Sequence, residues 1–271
     1  MATIVILEHE LQKYVELPYM VYGFAERWRA AGHAVLRHRG TGAPPAGDLA
    51  VVNIDLTVIP AEYRALFARY SRVVNGAALD VSKRRFSQHL LDRYSDWIGP
   101  VIVKTDANFG GKPEQLLRSV AAHEGVACEI PVGPIVERYP VYESVRQVPA
   151  EVWGAPGLVI ERFLPEREGD AFFLRTWFFF GDRERSSRWR AAVPVIKASD
   201  YQSREPVEVP AEIRAWRDKL GLQFGKFDYV RHGGKFVLLD ANRTPGYPDY
   251  GRGTAAVVLD DLSAGLASYL G

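Results

Sequence analysis

Asp228, Asp240 and Asn242 are the residues whose types and spacing point most directly to chemistry. They lie in Lys226-Phe-Asp-Tyr-Val-Arg-His-Gly-Gly-Lys-Phe-Val-Leu-Leu-Asp-Ala-Asn-Arg-Thr-Pro-Gly246, where two apolar, β-branched and aromatic runs flank a Gly-Gly pair. That pattern predicts a β-hairpin with a glycine-rich turn. Strand alternation sends Asp240 and Asn242 to one face, and pairing across the turn can bring Asp228 to them. Carboxylates set among Phe and Leu need partners, and a hard divalent cation such as Mg²⁺ is one solution. The same residues, just before Thr244-Pro245-Gly246, also suit a plain turn at a strand end.

Lys104 ends the run Val101-Ile-Val-Lys and precedes Thr-Asp-Ala-Asn-Phe-Gly110-Gly111. A lysine at a strand end can meet phosphate as a point charge, and the two glycines let backbone N–H groups approach it. The Gly-x-x-x-x-Gly-Lys-Ser/Thr order of a P-loop is missing, and a surface turn explains the stretch equally well. Leu158-Val-Ile-Glu161-Arg162-Phe163-Leu164-Pro-Glu166-Arg-Glu168 reads either as a nucleoside slot or as an edge strand with a solvated acidic turn. Arg175 interrupts Phe-Phe-Leu-Arg-Thr-Trp-Phe-Phe-Phe, so it either snorkels or pairs with an anion. Lys197 ends the following strand and can face the same site. No Gly-x-Ser-x-Gly elbow and no His-Glu-x-x-His pair occurs.

The elements that must position these residues fall into two patterns. Residues 3–8, 34–37, 49–54 and 72–75 read as strands, with helices over 19–31 and 60–70 between them. This alternation predicts a small open α/β lobe with a mostly parallel sheet, and Asn53 and Asp55 stand at one strand end, where ligands of such sheets bind. Beyond a boundary near residues 76–82 the expectation is a helix over 82–97, a strand over 100–105 and a helix over 113–123. Residues 130–157 have no clear period and read as irregular or lid-like. Strands are expected over 158–164, 171–180 and 191–196, with 181–188 as a charged turn, then a helix over 210–220, the hairpin, and a helix over 254–270. The fold class is thus an α/β N-terminal lobe over 1–76 followed by α+β subdomains over 77–271, with a lid-like part around 100–165.

Composition excludes several classes. The formal net charge is +1, so nothing favours a nucleic-acid or membrane partner. Cys128 is the single cysteine, which rules out an internal disulfide and a cysteine zinc cluster and fits a reducing, cytoplasmic setting. The first residues read as a strand rather than a signal peptide, and no apolar run is long enough to span a bilayer.

Taken in order, Lys83 at a helix start, Lys104 before a glycine loop, Ile-Glu-Arg-Phe-Leu, Arg175, and Asp228 with Asp240-x-Asn242 and Pro-Gly resemble the ATP-grasp superfamily over roughly residues 75–250. The resemblance implies a nucleotide held between two α+β subdomains. Lys83 and Lys104 would contact ATP phosphates, with Gly110 and Gly111 in a loop folding over them. Glu161 and the backbone of Arg162, Phe163 and Leu164 would line the adenine slot, and Glu168, or Glu166, would bind ribose. Asp228, Asp240 and Asn242 would hold one or two Mg²⁺ ions, with Mn²⁺ as a substitute; the family more often has glutamate where Asp240 stands. Arg175, Lys197 and Lys226 would act at the transferred phosphate. Tyr247, Tyr250 and Arg252 would face the substrate.

The implied activity is an ATP-dependent ligase joining a small-molecule or peptide carboxylate to an amine (or thiol) through an acylphosphate. ADP and phosphate would be the by-products. Alternatives on the same scaffold are a small-molecule kinase, with Asp55 or Asp249 as base, and a nucleotide-binding module without catalysis.

Overall fold

The computed structural model describes residues 1–14, 18–131, 133–134, 139–247 and 254–271. Three sheets organise them. The first is four-stranded and parallel, in the order β2-β1-β3-β4, from β1 (Thr3–Glu8), β2 (Ala34–Arg39), β3 (Leu49–Val52) and β4 (Val73–Val74). A parallel sheet covered on both faces needs strands apolar on both sides. Ile4 to Leu7 and Leu49 to Val52 accordingly have no exposed surface. Helix α1 (Met20–Ala30) packs Phe24 and Trp28 on one face together with Leu259 and Leu262 of α6 (Thr254–Ser263). Helices α2 (Ala61–Phe67) and α4 (Lys112–Glu124) cover the other with Tyr63, Leu66, Leu117 and Ala121.

Strands β5 (Val101–Thr105), β6 (Val141–Tyr142) and β7 (Leu158–Arg162) form a small antiparallel sheet in the order β6-β5-β7. The third sheet is antiparallel and six-stranded: β11 (Ser203–Pro206), β10 (Arg183–Ala191), β9 (Ala171–Phe180), β12 (Phe224–His232) and β13 (Lys235–Asn242) in that order, with β8 (Glu166–Glu168) also paired to β9. Its lower face buries Trp177, Phe179, Phe227 and Tyr229 together with Ile213 of α5 (Ala211–Lys219). The predicted hairpin is present, with Gly233 and Gly234 at φ 56° and 82°. Both central residues of a tight primed turn need positive φ, which glycine supplies without steric cost. The closing helix forms as α6, a short 3₁₀ turn and α7 (Ala267–Leu270).

Two expected elements differ. The helix over 82–97 shrinks to α3 (Lys83–Phe86). Beyond it, Ser87, Asp92 and Ser95 side chains accept hydrogen bonds from the backbone N–H two residues on, and Leu91 N–H donates to Ile160 O. Such local bonds compete with helix formation. The strand expected over 191–196 lies earlier: residues 183–191, read as mostly turn, are β10, and Gly181-Asp182 alone makes the connection. This arginine- and serine-rich strand is held by its neighbours rather than by propensity. Arg188 lies 3.5 Å over the Phe173 ring, and Arg185 bonds Asp261 at 2.6 Å.

Candidate functional site

Register decides which side chains meet. Asp228 stands opposite Asp240, and Lys226 opposite Asn242, so all four share the upper face of the large sheet. Asp228 also pairs with Thr176 on β9, extending that face across the strands. A bulge between Asp228 and Tyr229 leaves Leu239 as an extra residue, so Leu239 and Asp240 both line the same cavity. Gly225 permits the close pairing that sets this up: a Cβ there would lie 2.7 Å from Asn242 O.

Above the acids, the small sheet and α3 bring two lysines down. Lys83 and Lys104 are both almost fully buried, and they line a cavity of about 160 Å³ with Asp228, Asp240, Arg162, Phe163 and Leu164. Lys83 Nζ lies 3.3 Å from Asp240 Oδ1 and donates to Ala107 O at 3.0 Å. Lys104 Nζ is 2.8 Å from Glu161 Oε2, and Lys226 Nζ is 2.8 Å from Asp228 Oδ2. Three ammonium groups thus face three carboxylates, and the cluster is neutral. Burial pushes the Asp228 carboxyl up; Lys226 opposes this and Asp240 adds to it. Burial alone would lower the Lys83 and Lys226 ammonium groups, but Asp240 and Asp228 respectively hold both above the usual lysine range. The Glu161 carboxyl, which burial would raise, is held low chiefly by Lys104.

The donor set fits a hard cation. Asp228 Oδ1 is buried without a hydrogen-bond partner and Asp240 Oδ1 has only the lysine contact, while Asn242 shares their sheet face. Among the described residues no three His, Cys, Asp or Glu side chains are placed to hold a metal ion together, so the set is two carboxylates and an amide. Asn242 Oδ1 already accepts from Thr244 N at 2.8 Å and from Asn108 Nδ2 at 3.1 Å.

Asn108 belongs to the glycine loop, where Phe109, Gly110 and Gly111 take φ of 48°, 70° and 76°. Three successive left-handed residues curl the loop toward the cavity; Tyr139, which lines it, is the nearest atom to a Cβ built on Gly110, at 3.9 Å.

Behind this site runs a buried polar chain of which the sequence reading singled out Asp55 alone. Asp55 accepts from Tyr19 Oη at 2.7 Å and from Thr244 Oγ1 at 2.5 Å. Glu114 Oε1 accepts from Thr57 N and Oγ1 at 2.7 and 2.6 Å, and Thr57 Oγ1 accepts from Asn108 N at 2.8 Å. Arg243, fully buried, donates to Ala78 O and Leu56 O. Its guanidinium falls to about 10 through burial and so stays charged at neutral pH. The lone signal in the sequence was the crowding of Asn53, Asp55 and Thr57 at one strand end.

Several expected residues are not brought to the cavity. Arg175 pairs in register with Tyr229, so it lies on the sheet face opposite Asp228. Its Nε and Nη2 both bond Glu166 at 2.9 Å, and Glu166 also accepts from Arg188 Nε at 2.7 Å and Arg231 N at 2.7 Å. Glu168 is exposed and bound to Arg188. Lys197 is exposed at the start of a short 3₁₀ turn, its N–H bonded to Asp200. Glu161 is turned to Lys104. Tyr247 lies against Phe178 beyond Lys226, with ring centroids 6.3 Å apart. Tyr250, Arg252 and Asp249 lie outside the described residues.

A parallel α/β lobe, a small antiparallel sheet and a large antiparallel sheet close on a lysine- and carboxylate-lined cavity. Solved structures agree. D-alanine–D-alanine ligase from Bacillus anthracis aligns over 100% of this chain and 98% of its own, with a TM-score of 0.51 at 12% identity. The RiPP-associated ATP-grasp ligase from Chryseobacterium gregarium, solved with ADP and a leader and core peptide, aligns over 97% of both chains, with a TM-score of 0.50 at 10% identity. No protein-family model and no curated protein sequence matches the chain. The chain has the ATP-grasp fold.

Proposed function

We propose that this protein is an ATP-dependent ligase that activates a carboxylate as an acylphosphate and passes the acyl group to an amine or thiol. One observation carries the reading. Lys83 and Lys104, from separate elements, converge with the cross-strand pair Asp228 and Asp240 on a single cavity walled by Arg162, Phe163 and Leu164. On this reading the backbone of residues 162–164 meets the adenine edge, and the two lysines hold the phosphates. The loop at Gly110 and Gly111 covers the phosphates with N–H donors. Asp228, Asp240 and Asn242 would hold Mg²⁺, which supplies positive charge against the phosphoryl oxygens when bound. The cavity of about 160 Å³ is smaller than the roughly 300–1,000 Å³ of ordinary small-molecule sites, so the sheets must part to admit a nucleotide.

The substrate carboxylate oxygen attacks the γ-phosphorus, the bond to the bridging oxygen breaks, and ADP leaves. The amine nitrogen then attacks the acyl carbon, phosphate departs, and the nitrogen gives up its proton. Lys226, fixed beside Asp228, stabilises the phosphoryl charge in a site closed to water. No protein nucleophile is required. Of the two bases the kinase alternative would use, Asp55 already accepts hydrogen bonds on both carboxylate oxygens, and Asp249 lies outside the described residues.

The test is incubation with ATP, Mg²⁺, a panel of carboxylic acids and hydroxylamine, followed by phosphorus NMR. Free phosphate appearing with ADP and a hydroxamate is the expected result. A phosphate ester would establish the kinase, and no nucleotide turnover with any acid would remove the ligase.

A further inference from the structure

The upper face of the large sheet does not end at Lys226. In register with Leu174 on that face stands Trp189 of β10, and opposite Trp189 stands Arg204 of β11. Trp189 leans back toward the acids, since its Nε1 donates to Thr176 Oγ1 at 2.9 Å, and Thr176 is the direct neighbour of Asp228. Tyr201 stacks on Trp189 with ring centroids 4.1 Å apart and planes at 13°. With Tyr247 these residues line a second cavity, of about 410 Å³, and Lys226, 5.8 Å over the Phe178 ring that packs against Tyr247, stands beside it. Its volume falls within the usual range for a small-molecule site.

The charges around this cavity are unevenly matched. Lys226 at its inner end is paired with Asp228. At the rim, Arg204 lies over the Trp189 ring at 5.5 Å, whereas Arg190, in register with Phe173, lies on the opposite face with Arg188. Among the described residues the Arg204 guanidinium has no carboxylate partner, whereas Arg188 on the neighbouring strand has three. Arginines left without an acid beside an aromatic wall form an anion-binding arrangement. From β11 to β12 is three strand spacings, roughly 14 Å between backbones. After the arginine side chain is allowed for, a short acyclic molecule fits between its head group and Lys226.

We propose that this cavity is the acceptor site and that its substrate is a carboxylic acid bearing a second anionic group, with the reacting carboxylate beside Lys226 and the second anion on Arg204. This rests on the ligase reading above. The aromatic walls cover the carbon chain between the two ends, and the reaction balances as already written, since only the inner carboxylate is phosphorylated.

The experiment compares succinate and glutarate with propionate and butyrate as acids, with MgATP and hydroxylamine, scoring hydroxamate. ADP affinity is measured by calorimetry on the same preparation. The expected result is a preference of at least tenfold in kcat/KM for the diacids. Arg204→Glu should abolish it through KM, Arg204→Lys should keep most of it, and ADP affinity should not change. Equal use of mono- and diacids, no use of either diacid, or a preference that survives Arg204→Glu overturns the proposal while ADP binding stands. Loss of ADP binding in the unaltered protein overturns the nucleotide reading itself.

Discussion

Asp228 and Asp240 face each other directly across β12 and β13, two acids in a position where like charges repel. Lysines from different directions offset this: Lys226 from the same strand and Lys83 from α3. Asp240→Ala and Asn242→Ala should each lower Mg²⁺-dependent ADP formation by about 100-fold or more while circular dichroism shows the fold intact. Unchanged ADP release in both variants would dismiss these residues as metal ligands.

Lys104 and Glu161 form a buried ion pair, so removing one partner strands the other. Lys104→Met should lose about 3–5 kcal/mol of stability in urea denaturation and also weaken ATP binding. Adding Glu161→Gln should recover much of the stability but not the ATP affinity. If calorimetry instead found ATP affinity equal in the double variant and the unaltered protein, Lys104 would be a structural residue alone.

Arg175 makes the opposite prediction from the one its sequence position suggests. Its guanidinium is spent on Glu166, below the sheet. Arg175→Met should cost about 3–5 kcal/mol yet leave the Kd for MgATP unchanged. Burial would raise Glu166, but Arg175, the Arg231 N–H and Arg188 hold it below 4.5. The stabilisation it provides is therefore complete above the unfolded value and is lost as pH falls through the folded one. A Kd shifted tenfold in Arg175→Met would return this residue to the nucleotide site.

Asp55 titrates in the other sense. Burial lifts its carboxyl from 3.8 to about 6, against the hydrogen bonds from Thr244 and Tyr19. The folded state then holds a proton that the unfolded state has released, so this group's contribution to stability falls as pH rises from about 4 to about 6. The change amounts to roughly 3 kcal/mol at most. Asp55→Asn should flatten that part of the stability profile, as read from urea midpoints at pH 4.5 and 7. An equally steep profile in the variant would place the titration elsewhere.

The hairpin was legible because alternation and a Gly-Gly pair specify both its strands and its turn. The parallel lobe was legible because continuous apolar runs alternate with helical spacing. Register between strands distant in sequence was not. Nothing local says that β9 offers Thr176 rather than Arg175 to the face of Asp228, and that single choice decides which of the two reaches the cavity. β10 was missed for a related reason: its arginines and serines are poor strand formers alone and become strand through Phe173, Glu166 and Asp261, residues that only the folded chain brings near. The 82–97 segment misled in the opposite way, its helical spacing losing to serine and aspartate side chains that bond their own backbone.

The neutral lysine–carboxylate cluster has a practical consequence for handling. Because each acid carries its own counter-ion, the cluster has little electrostatic reason to recruit a lone divalent cation, and purification in a chelator should leave the melting temperature where it was. A doubly charged cation entering by itself would leave the cluster with two surplus positive charges, whereas one arriving on a polyphosphate brings its own compensation. Titrations that add the metal first and the nucleotide second should therefore show heat only at the second step.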